Sequence, residues 1–319
     1  MSETRQTAGV MNGDTVFPLL GLVPPVLRAR DFRLYTEGGK RLLDLWQNGG
    51  AAVLGHTPPA MLRELKNSAS RGLFSPLPHP LERRFVRALS RLFSGRVFRV
   101  YADETSFRTA LGLCGGAFDG KPGDPAFGAG SRAEAGAASS PPRACLWRPF
   151  LDPRAPLAVP ADAPLLIPVL PGIQGWSAAG ALPRGLCVLA LDPALASAGA
   201  FPPQDTFSPV FLAAAARGIY DLAAAAPLRG NPRFPKIDRA LAQKGCPWRR
   251  RGIYLSHDRG AGGKTAGAES GGVPPGAWEA LFRAFLEEGF LLPPVSEQPL
   301  ILPGVLSAGE EAKLARLLG

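Results

Sequence analysis

The sequence has few of the side chains that bind metals or act as amine nucleophiles. Only 3 of 319 residues are histidine and 4 are cysteine, and seven of the 36 Lys and Arg residues are lysine. The cysteines are Cys114, Cys145, Cys187 and Cys246, with no C-x-x-C pair and no cysteine–histidine ligand spacing. The lack of such spacing excludes a local zinc site. Unpaired cysteines are typical of proteins in the reducing cytosol.

The sequence also lacks a long uninterrupted apolar run. Its most apolar stretch, residues 207–226, is alanine-rich and contains Arg217 and Asp221. A second apolar stretch, residues 16–27, contains three prolines and follows Asp14 rather than a basic run, so it does not have the pattern of a signal peptide. We therefore predict a cytoplasmic protein that does not span a membrane.

The composition favours a globular chain with many loops. Hydrophobic residues make up 46% of the sequence, which excludes wholesale disorder, and the 38 glycines and 34 prolines have no collagen period. The net charge of +10 is compatible with an acidic partner, and Arg249–Arg251 is its densest cluster. No aromatic-rich stacking platform accompanies these arginines, so the pattern favours a solvated turn entering a strand over a nucleic-acid site.

The pattern of apolar residues predicts an α/β chain in three parts. Residues 1–75 contain a hairpin across Gly38-Gly39 and a helix, and residues 246–319 alternate strands and helices in a small α+β domain. Between them, the apolar runs Leu165–Leu170 and Leu186–Leu191 predict doubly buried strands of a parallel sheet in a reduced large domain over residues 76–245. We expect residues 116–143, which contain almost no large apolar side chains, to be a disordered insert.

One stretch, residues 35–66, reads YTEGGKRLLDLWQNGGAAVLGHTPPAMLRELK. Its aromatic residue, glycine hairpin, Leu-Asp pair, Gly-Gly turn and Gly-His-x-x-Pro step into a helix resemble the N-terminal part of class III aminotransferases. The nearest branch is that of glutamate-1-semialdehyde aminomutase. The resemblance implies a shortened PLP-transferase-like fold, of fold type I. Such a fold has a three-layer large domain with a mainly parallel sheet, and a small α+β C-terminal domain.

The resemblance also implies where pyridoxal 5'-phosphate would bind, and the chain departs from the family there. Residues 102–106 fall on the family's phosphate-binding turn, and Thr105 and Ser106 are the hydroxyl residues of this stretch that the resemblance assigns to the cofactor. Asp103 and Glu104 add two carboxylates that would repel a phosphate or cap the helix themselves. Asp192 follows a buried strand, as does the family's aspartate for the pyridinium nitrogen, although Asp192-Pro193 also has the pattern of a turn.

The family's cofactor lysine has no counterpart in this alignment, because the stretch from Asp192 to Thr206 contains none. Only a primary amine forms a Schiff base with the cofactor. We therefore predict a degenerate aminotransferase-fold protein without transaminase activity, which acts by binding or partnering. It has no catalytic residue, no metal site and no bound cofactor, and retains Asp192, Thr105 and Ser106 as vestiges of cofactor binding.

Two alternatives stay open at this point. One is an active aminotransferase or aminomutase that uses pyridoxal 5'-phosphate, and the other is a nucleic-acid-binding protein. The retained N-terminal pattern further implies a homodimer, or a heterodimer with a related chain, since family members pair through this part of the chain.

Overall fold

The computed structural model describes residues 17–113, 144–161, 163–172, 174–176, 183–198, 201–229, 233–257 and 275–319. The expected disordered insert, residues 116–143, lies outside these ranges. Strands β1 to β13 span Val26–Arg30, Arg33–Thr36, Arg41–Asp44, Val97–Tyr101, Ala144–Trp147, Leu165–Pro168, Gln174–Trp176, Pro183–Gly185, Cys187–Leu191, Trp248–Arg251, Tyr254–His257, Phe290–Leu291 and Leu300–Ile301. Helices α1 to α8 span Pro59–Ala69, Leu81–Leu92, Glu104–Leu113, Pro193–Ala198, Pro209–Arg229, Pro235–Leu241, Pro275–Glu287 and Ala308–Leu318.

The central sheet has the strand order β4-β9-β6-β5. Strands β5 and β6 are parallel, and β9 is antiparallel to both β4 and β6. Strands β4, β5 and β6 therefore run in one direction, and their ends meet at one side of the sheet, which we call the carboxyl edge. The prediction that both apolar runs form parallel strands is wrong for β9, because a doubly apolar run reports burial of both faces and not direction.

Helices cover both faces of this sheet and produce three layers. Along β9, Val188 and Ala190 belong to a core that includes side chains of α2 and α5. Cys187, Leu189 and Leu191 belong to a second core with side chains of α3. Because successive side chains of a strand point to opposite faces, a strand with helices on both sides is apolar at every position.

The two ends of the chain meet in a second sheet of order β1-β2-β3-β12. Strand β12 pairs in parallel with β3, with Phe290 opposite Leu43. Strands β10, β11 and β13 form a smaller antiparallel sheet. One buried cluster extends from Phe32 to Leu318, so residues from all three predicted parts of the chain share a core.

The predicted hairpin is confirmed, because it forms as β2 and β3. Helix α8 begins with a capping box between Ser307 and Glu310. Arg249–Arg251 does not form the expected turn and instead lies within strand β10. The 19-residue window Pro209–Pro227 of α5 is apolar and long enough to cross a membrane by composition, but 61% of it is buried inside the fold.

Candidate functional site

The carboxyl edge is the candidate functional site, because ligands of open α/β sheets bind outside the carboxyl ends of the strands. Residues 102–103 follow β4, residues 148–150 follow β5, and residues 169–172 follow β6. A left-handed turn, Gln47–Gly50, packs against the last two of these segments.

Carboxylates accept hydrogen bonds from backbone N–H groups at the N-terminus of α3 and just before it. Ser106 N donates to Asp103 Oδ1 at 2.7 Å, and Ala102 N donates to Asp205 Oδ2 at 2.6 Å. The hydrogen bond from the Ser106 backbone is the main reason that the pKa of Asp103 lies below its usual value. Glu104 adds a third carboxylate and pairs with Arg108 one turn later. These contacts concentrate negative charge at a helix end that would otherwise attract anions.

A buried cation follows strand β5. Arg148 is 5% exposed, and its Nη1 donates to the carbonyl oxygen of Gly49 at 2.9 Å. Its guanidinium carbon lies 5.6 Å from the ring centre of Tyr254, whose hydroxyl donates to the Pro149 carbonyl at 2.7 Å. The end of β5 is therefore joined both to the left-handed turn and to the C-terminal part of the chain.

The left-handed turn has four successive residues with positive φ. The angles are 50° at Gln47, 49° at Asn48, 66° at Gly49 and 109° at Gly50. Positive φ at two non-glycine residues costs conformational energy and persists only where surrounding contacts hold it. Asp44 Oδ1 accepts hydrogen bonds from Trp46 N and Gln47 N, both at 2.8 Å, and supplies part of this hold.

The same turn contacts the end of β6 and the C-terminal part of the chain. A Cβ atom added to Gly50 would lie 3.0 Å from Val169 Cγ1, which shows how closely the turn approaches the sheet. Gln47 Nε2 donates to the Ile301 carbonyl at 2.9 Å, and Trp46 Nε1 donates to Gln298 Oε1 at 2.6 Å. The turn therefore fills part of the carboxyl edge with protein atoms.

His56 supports the turn through a carboxylate. Its Nε2 lies 2.9 Å from Asp44 Oδ2, and Asp44 is 2% exposed. His56 is therefore a structural residue with Asp44 as its partner, whereas Pro58 at the start of α1 has no side-chain cap.

The structure separates the residues that the sequence placed in one cofactor site. Thr105 and Ser106 lie at the start of α3, beyond the last residue of β4. Asp192 follows Leu191, which pairs with Val97 at the other end of β4. The four residue steps between these ends correspond to about 13 Å. Because β9 is antiparallel, Asp192 lies beyond one end of β4 and the Thr105–Ser106 pair beyond the other, and this corrects the expectation that they line one cofactor site.

Asp192 instead has a local role. Its Oδ1 accepts a hydrogen bond from Ala194 N at 2.9 Å, at the start of helix α4. This contact agrees with the turn pattern of Asp192-Pro193.

Two residues at the carboxyl edge, Asp205 and Arg148, were not predicted from the sequence. Asp205 directly precedes Thr206, and Arg148 follows a four-residue apolar run that was too short to be recognised as a strand.

None of the lysines in the described ranges follows β4, β5 or β6. These five lysines are Lys40, Lys66, Lys236, Lys244 and Lys313. Lys236 Nζ donates to the Ala308 carbonyl at 2.9 Å, and Lys313 pairs with Glu288 at 2.8 Å. Lys121 and Lys264 lie outside the described residues. Within the described part of the chain, no group of three or more His, Cys, Asp or Glu residues could hold a metal ion.

Comparisons with known proteins give partial sequence matches. No family model matches the chain. It is 37% identical over 98 residues to an uncharacterized protein of Borreliella burgdorferi, which covers 30% of this chain and 36% of that protein. It is 42% identical over 77 residues to an uncharacterized protein of Treponema pallidum, covering 24% and 25%. A glutamate-1-semialdehyde 2,1-aminomutase of Thermus thermophilus is 30% identical over 86 residues, covering 27% and 20%. The matches thus span about a third or less of these relatives.

Solved structures match over most of the chain. An ornithine delta-aminotransferase of Plasmodium falciparum matches with a TM-score of 0.60 at 12% identity, over 97% of this chain and 94% of that one. A glutamate-1-semialdehyde aminomutase of Pseudomonas aeruginosa matches with a TM-score of 0.56 at 16% identity, over 92% and 86%. A transaminase with PLP bound matches with a TM-score of 0.57 at 16% identity, over 92% and 89%. The chain has the α/β fold of the PLP-dependent transaminases, fold type I, with distant similarity to class III aminotransferases.

Proposed function

We propose that this chain is an aminotransferase-fold protein without transaminase activity, which acts by binding a partner. The observation that carries the proposal is the N-terminus of α3, where Asp103 and Asp205 accept the hydrogen bonds of Ser106 N and Ala102 N. A helix N-terminus binds a phosphate through such N–H groups. Here these donors are already used, and the groups that use them are anionic.

Pyridoxal 5'-phosphate, the cofactor of the fold, does not fit the described residues at the carboxyl edge. A phosphate dianion within a few ångströms of Asp103 or Glu104 would be repelled by each carboxylate. At the end of β5 stands the guanidinium of Arg148, which cannot supply the carboxylate that a protonated pyridine nitrogen needs. We therefore assign no cofactor and no catalytic residue to this chain.

The described residues that follow the strands at the carboxyl edge support the same proposal, because none of them carries an amine side chain. Transamination requires a lysine that first binds the cofactor covalently and then moves the proton at the substrate carbon. The residues directly after β5 and β6 are Arg148 and Val169, and neither carries a primary amine. Arginine stays protonated at neutral pH and does not replace lysine in this chemistry.

The first test is spectroscopic. Purified full-length protein is mixed with pyridoxal 5'-phosphate, scanned for visible absorption, treated with borohydride and analysed by peptide mass spectrometry. We expect no cofactor–lysine absorption band, no reduced lysine adduct and no transamination with any amino donor. A yellow protein with an adduct at one lysine, including Lys121 or Lys264, overturns the proposal and identifies an active enzyme.

A second test examines the acidic helix end directly. The triple variant Asp103→Gly, Glu104→Thr, Asp205→Asn removes the three carboxylates, so it should bind pyridoxal 5'-phosphate or inorganic phosphate more tightly than the natural chain. It should still show no covalent adduct. Glu82→Thr, which removes a carboxylate from the first turn of α2, is the matched control and should leave phosphate binding unchanged.

We also propose a paired assembly, either a homodimer or a heterodimer with a related chain. The support is an exposed apolar patch on two segments that meet where Leu73 O accepts hydrogen bonds from Ser208 Oγ and Val210 N. Phe74 and Phe211 stand next to these contacts in the chain and are 63% and 46% exposed, and Leu77 is 63% exposed. Exposed apolar patches of this kind mark interaction surfaces.

Light scattering on a sizing column tests the assembly. We expect a dimer at micromolar concentration and a monomer after Phe74→Ser combined with Phe211→Ser. Val305→Ser removes a single exposed apolar side chain outside the patch and should not change the mass. A monomeric natural chain would contradict the homodimer, and the heterodimer would then require a related chain in the mixture.

Because α5 is mostly buried, we further propose a cytoplasmic location, which fractionation of cells can check.

A further inference from the structure

One face of the hairpin sheet carries four arginines, of which Arg33 is largely buried and the other three are more exposed. In its register, Tyr35 lies opposite Arg28 on one side and Arg41 on the other. Two residues further along β1, Arg30 lies opposite Arg33 of β2. Residues directly opposite in a sheet point to the same face, so these four arginines surround Tyr35 on one surface. We call this surface the arginine face.

The arginines of β2 and β3 have a carboxylate partner. Arg33 donates to both oxygens of Glu310, at 2.9 and 2.6 Å, and Arg41 lies 3.8 Å from the same carboxylate. These contacts dock α8 onto the sheet. They account for Arg33 as a structural residue, whereas Arg41 is 58% exposed and contributes less.

The two arginines of β1 have no comparable role in the fold. Arg28 stacks over Tyr35, with its guanidinium carbon 4.3 Å from the ring centre, and no described carboxylate lies within ion-pair distance of it. Arg30 is 4.0 Å from Asp31, and both side chains are more than 60% exposed, so this ion pair contributes little. Like charges directly opposite each other in a sheet, such as Arg30 and Arg33, are destabilising.

We propose that β1 binds an extended acidic peptide that carries carboxylates at alternate positions. Strand β1 is the outer strand of its sheet among the described residues, so its outer backbone groups are available to an added strand. Arg28 and Arg30 lie about 7 Å apart along the strand, the spacing of residues i and i+2 in an extended peptide. Leu27, at the irregularity that precedes them, is 70% exposed and extends the contact with apolar area.

The face favours a peptide over single-stranded nucleic acid. Bases bind sequence-independently by stacking on open aromatic rings. Tyr35 is the aromatic residue of this face, and Arg28 already covers its ring. The acidic peptide is a partner for the binding role proposed above, but its binding does not require that transaminase activity be lost.

Fluorescence polarisation of a labelled ten-residue peptide of alternating Thr and Glu tests the inference on the full-length protein at low salt. We expect binding that weakens about tenfold or more in the double variant Arg28→Gln, Arg30→Gln, since each removes a charge-assisted contact. The control, Arg83→Gln with Arg87→Gln, neutralises two exposed arginines on α2 and should bind as the natural chain does.

Two further probes separate the possible occupants. A peptide of the same composition with its five glutamates in one block should bind more weakly, because only alternate carboxylates match the strand. Equal binding of both peptides, or no binding of the alternating one, overturns the proposal. Tighter binding of a ten-nucleotide single strand that is lost in the same double variant assigns the face to nucleic acid instead. Because none of these probes uses pyridoxal 5'-phosphate, a yellow, active protein would refute the proposed function and leave this inference standing.

Discussion

An arginine stands both at the carboxyl edge and on the arginine face, but the two arginines have opposite surroundings. Arg148 is 5% exposed and donates to the Gly49 carbonyl, whereas the side chain of Arg30 is 77% exposed and faces another arginine across the sheet. A buried cation without partners would be very costly, so Arg148 belongs to a network that the fold needs. Arg30 contributes little to the fold, which leaves it available for a partner. The difference separates a buried arginine that the fold needs from exposed positive charge on an outer sheet face.

The largest expected effect concerns the close packing behind the carboxyl edge. A Cβ atom at Gly252 would lie 1.9 Å from the Phe150 carbonyl oxygen and 2.7 Å from that of Leu151, at a φ of +59°. We expect Gly252→Ala to lower the free energy of unfolding by about 4 kcal/mol or more, because backbone atoms must move. Urea denaturation followed by tryptophan fluorescence measures this.

Gly112 is the matched control for that change. It lies in helix α3 with no atom within 4 Å of an added Cβ. Gly112→Ala should stabilise the protein by up to about 1 kcal/mol through helix propensity. Equal urea midpoints for the two variants would mean that the segment after β5 is not tightly packed.

The second prediction compares the stability effects of replacing Arg148 at the carboxyl edge and Arg28 on the arginine face. Arg148→Met leaves the Gly49 carbonyl without its donor, and we expect a loss of about 2–3 kcal/mol in the free energy of unfolding. Arg28→Met on the arginine face should change it by no more than about 0.5 kcal/mol. Similar losses for both variants would break the contrast between a structural and an available arginine.

The third prediction concerns the paired part of the arginine face. Burial raises the pKa of Glu310, but the hydrogen bonds from Arg33 and Ser307 outweigh burial and hold it below its ordinary value of 4.5. A carboxylate with a lowered pKa contributes stability above its unfolded pKa and loses that contribution as the pH falls through its folded pKa. Glu310→Gln should therefore cost about 1 kcal/mol at pH 7, with a difference from the natural chain that shrinks below pH 4.5.

Denaturation curves at several pH values provide the measurement. Glu297→Gln alters an exposed carboxylate outside this pair and is the control. A difference between Glu310→Gln and the natural chain that stays constant down to pH 3 would show that the ion pair does not contribute as described.

The smallest effect is expected at Arg30. Because Arg30 directly faces Arg33, Arg30→Gln relieves like-charge repulsion and should raise the free energy of unfolding by up to about 0.5 kcal/mol. The gain should shrink at high salt, which screens exposed charges. A clear loss of stability would instead show that Arg30 takes part in the fold, and would weaken the case for a peptide at β1.

Much of the local structure could be predicted from the sequence. The capping box at Ser307 and the hairpin around Gly38-Gly39 depend on residues a few positions apart, and both form. The N-terminal motif led to the fold type I architecture, which the structural matches support. Strand β5 escaped prediction because four apolar residues, Ala144–Trp147, are too few to distinguish a strand from other buried segments.

The sequence by itself determined the hairpin around Gly38-Gly39, the capping box at Ser307, which residues are apolar enough to be buried, and that carboxylates stand at the start of α3. These properties depend on neighbours in the chain. Only the tertiary structure decided that β9 runs antiparallel, that Asp192 lies at the end of β4 away from Thr105, and that Arg148 meets Gly49. Such placements depend on how segments about a hundred residues apart pack together, and burial patterns do not record the direction of a strand.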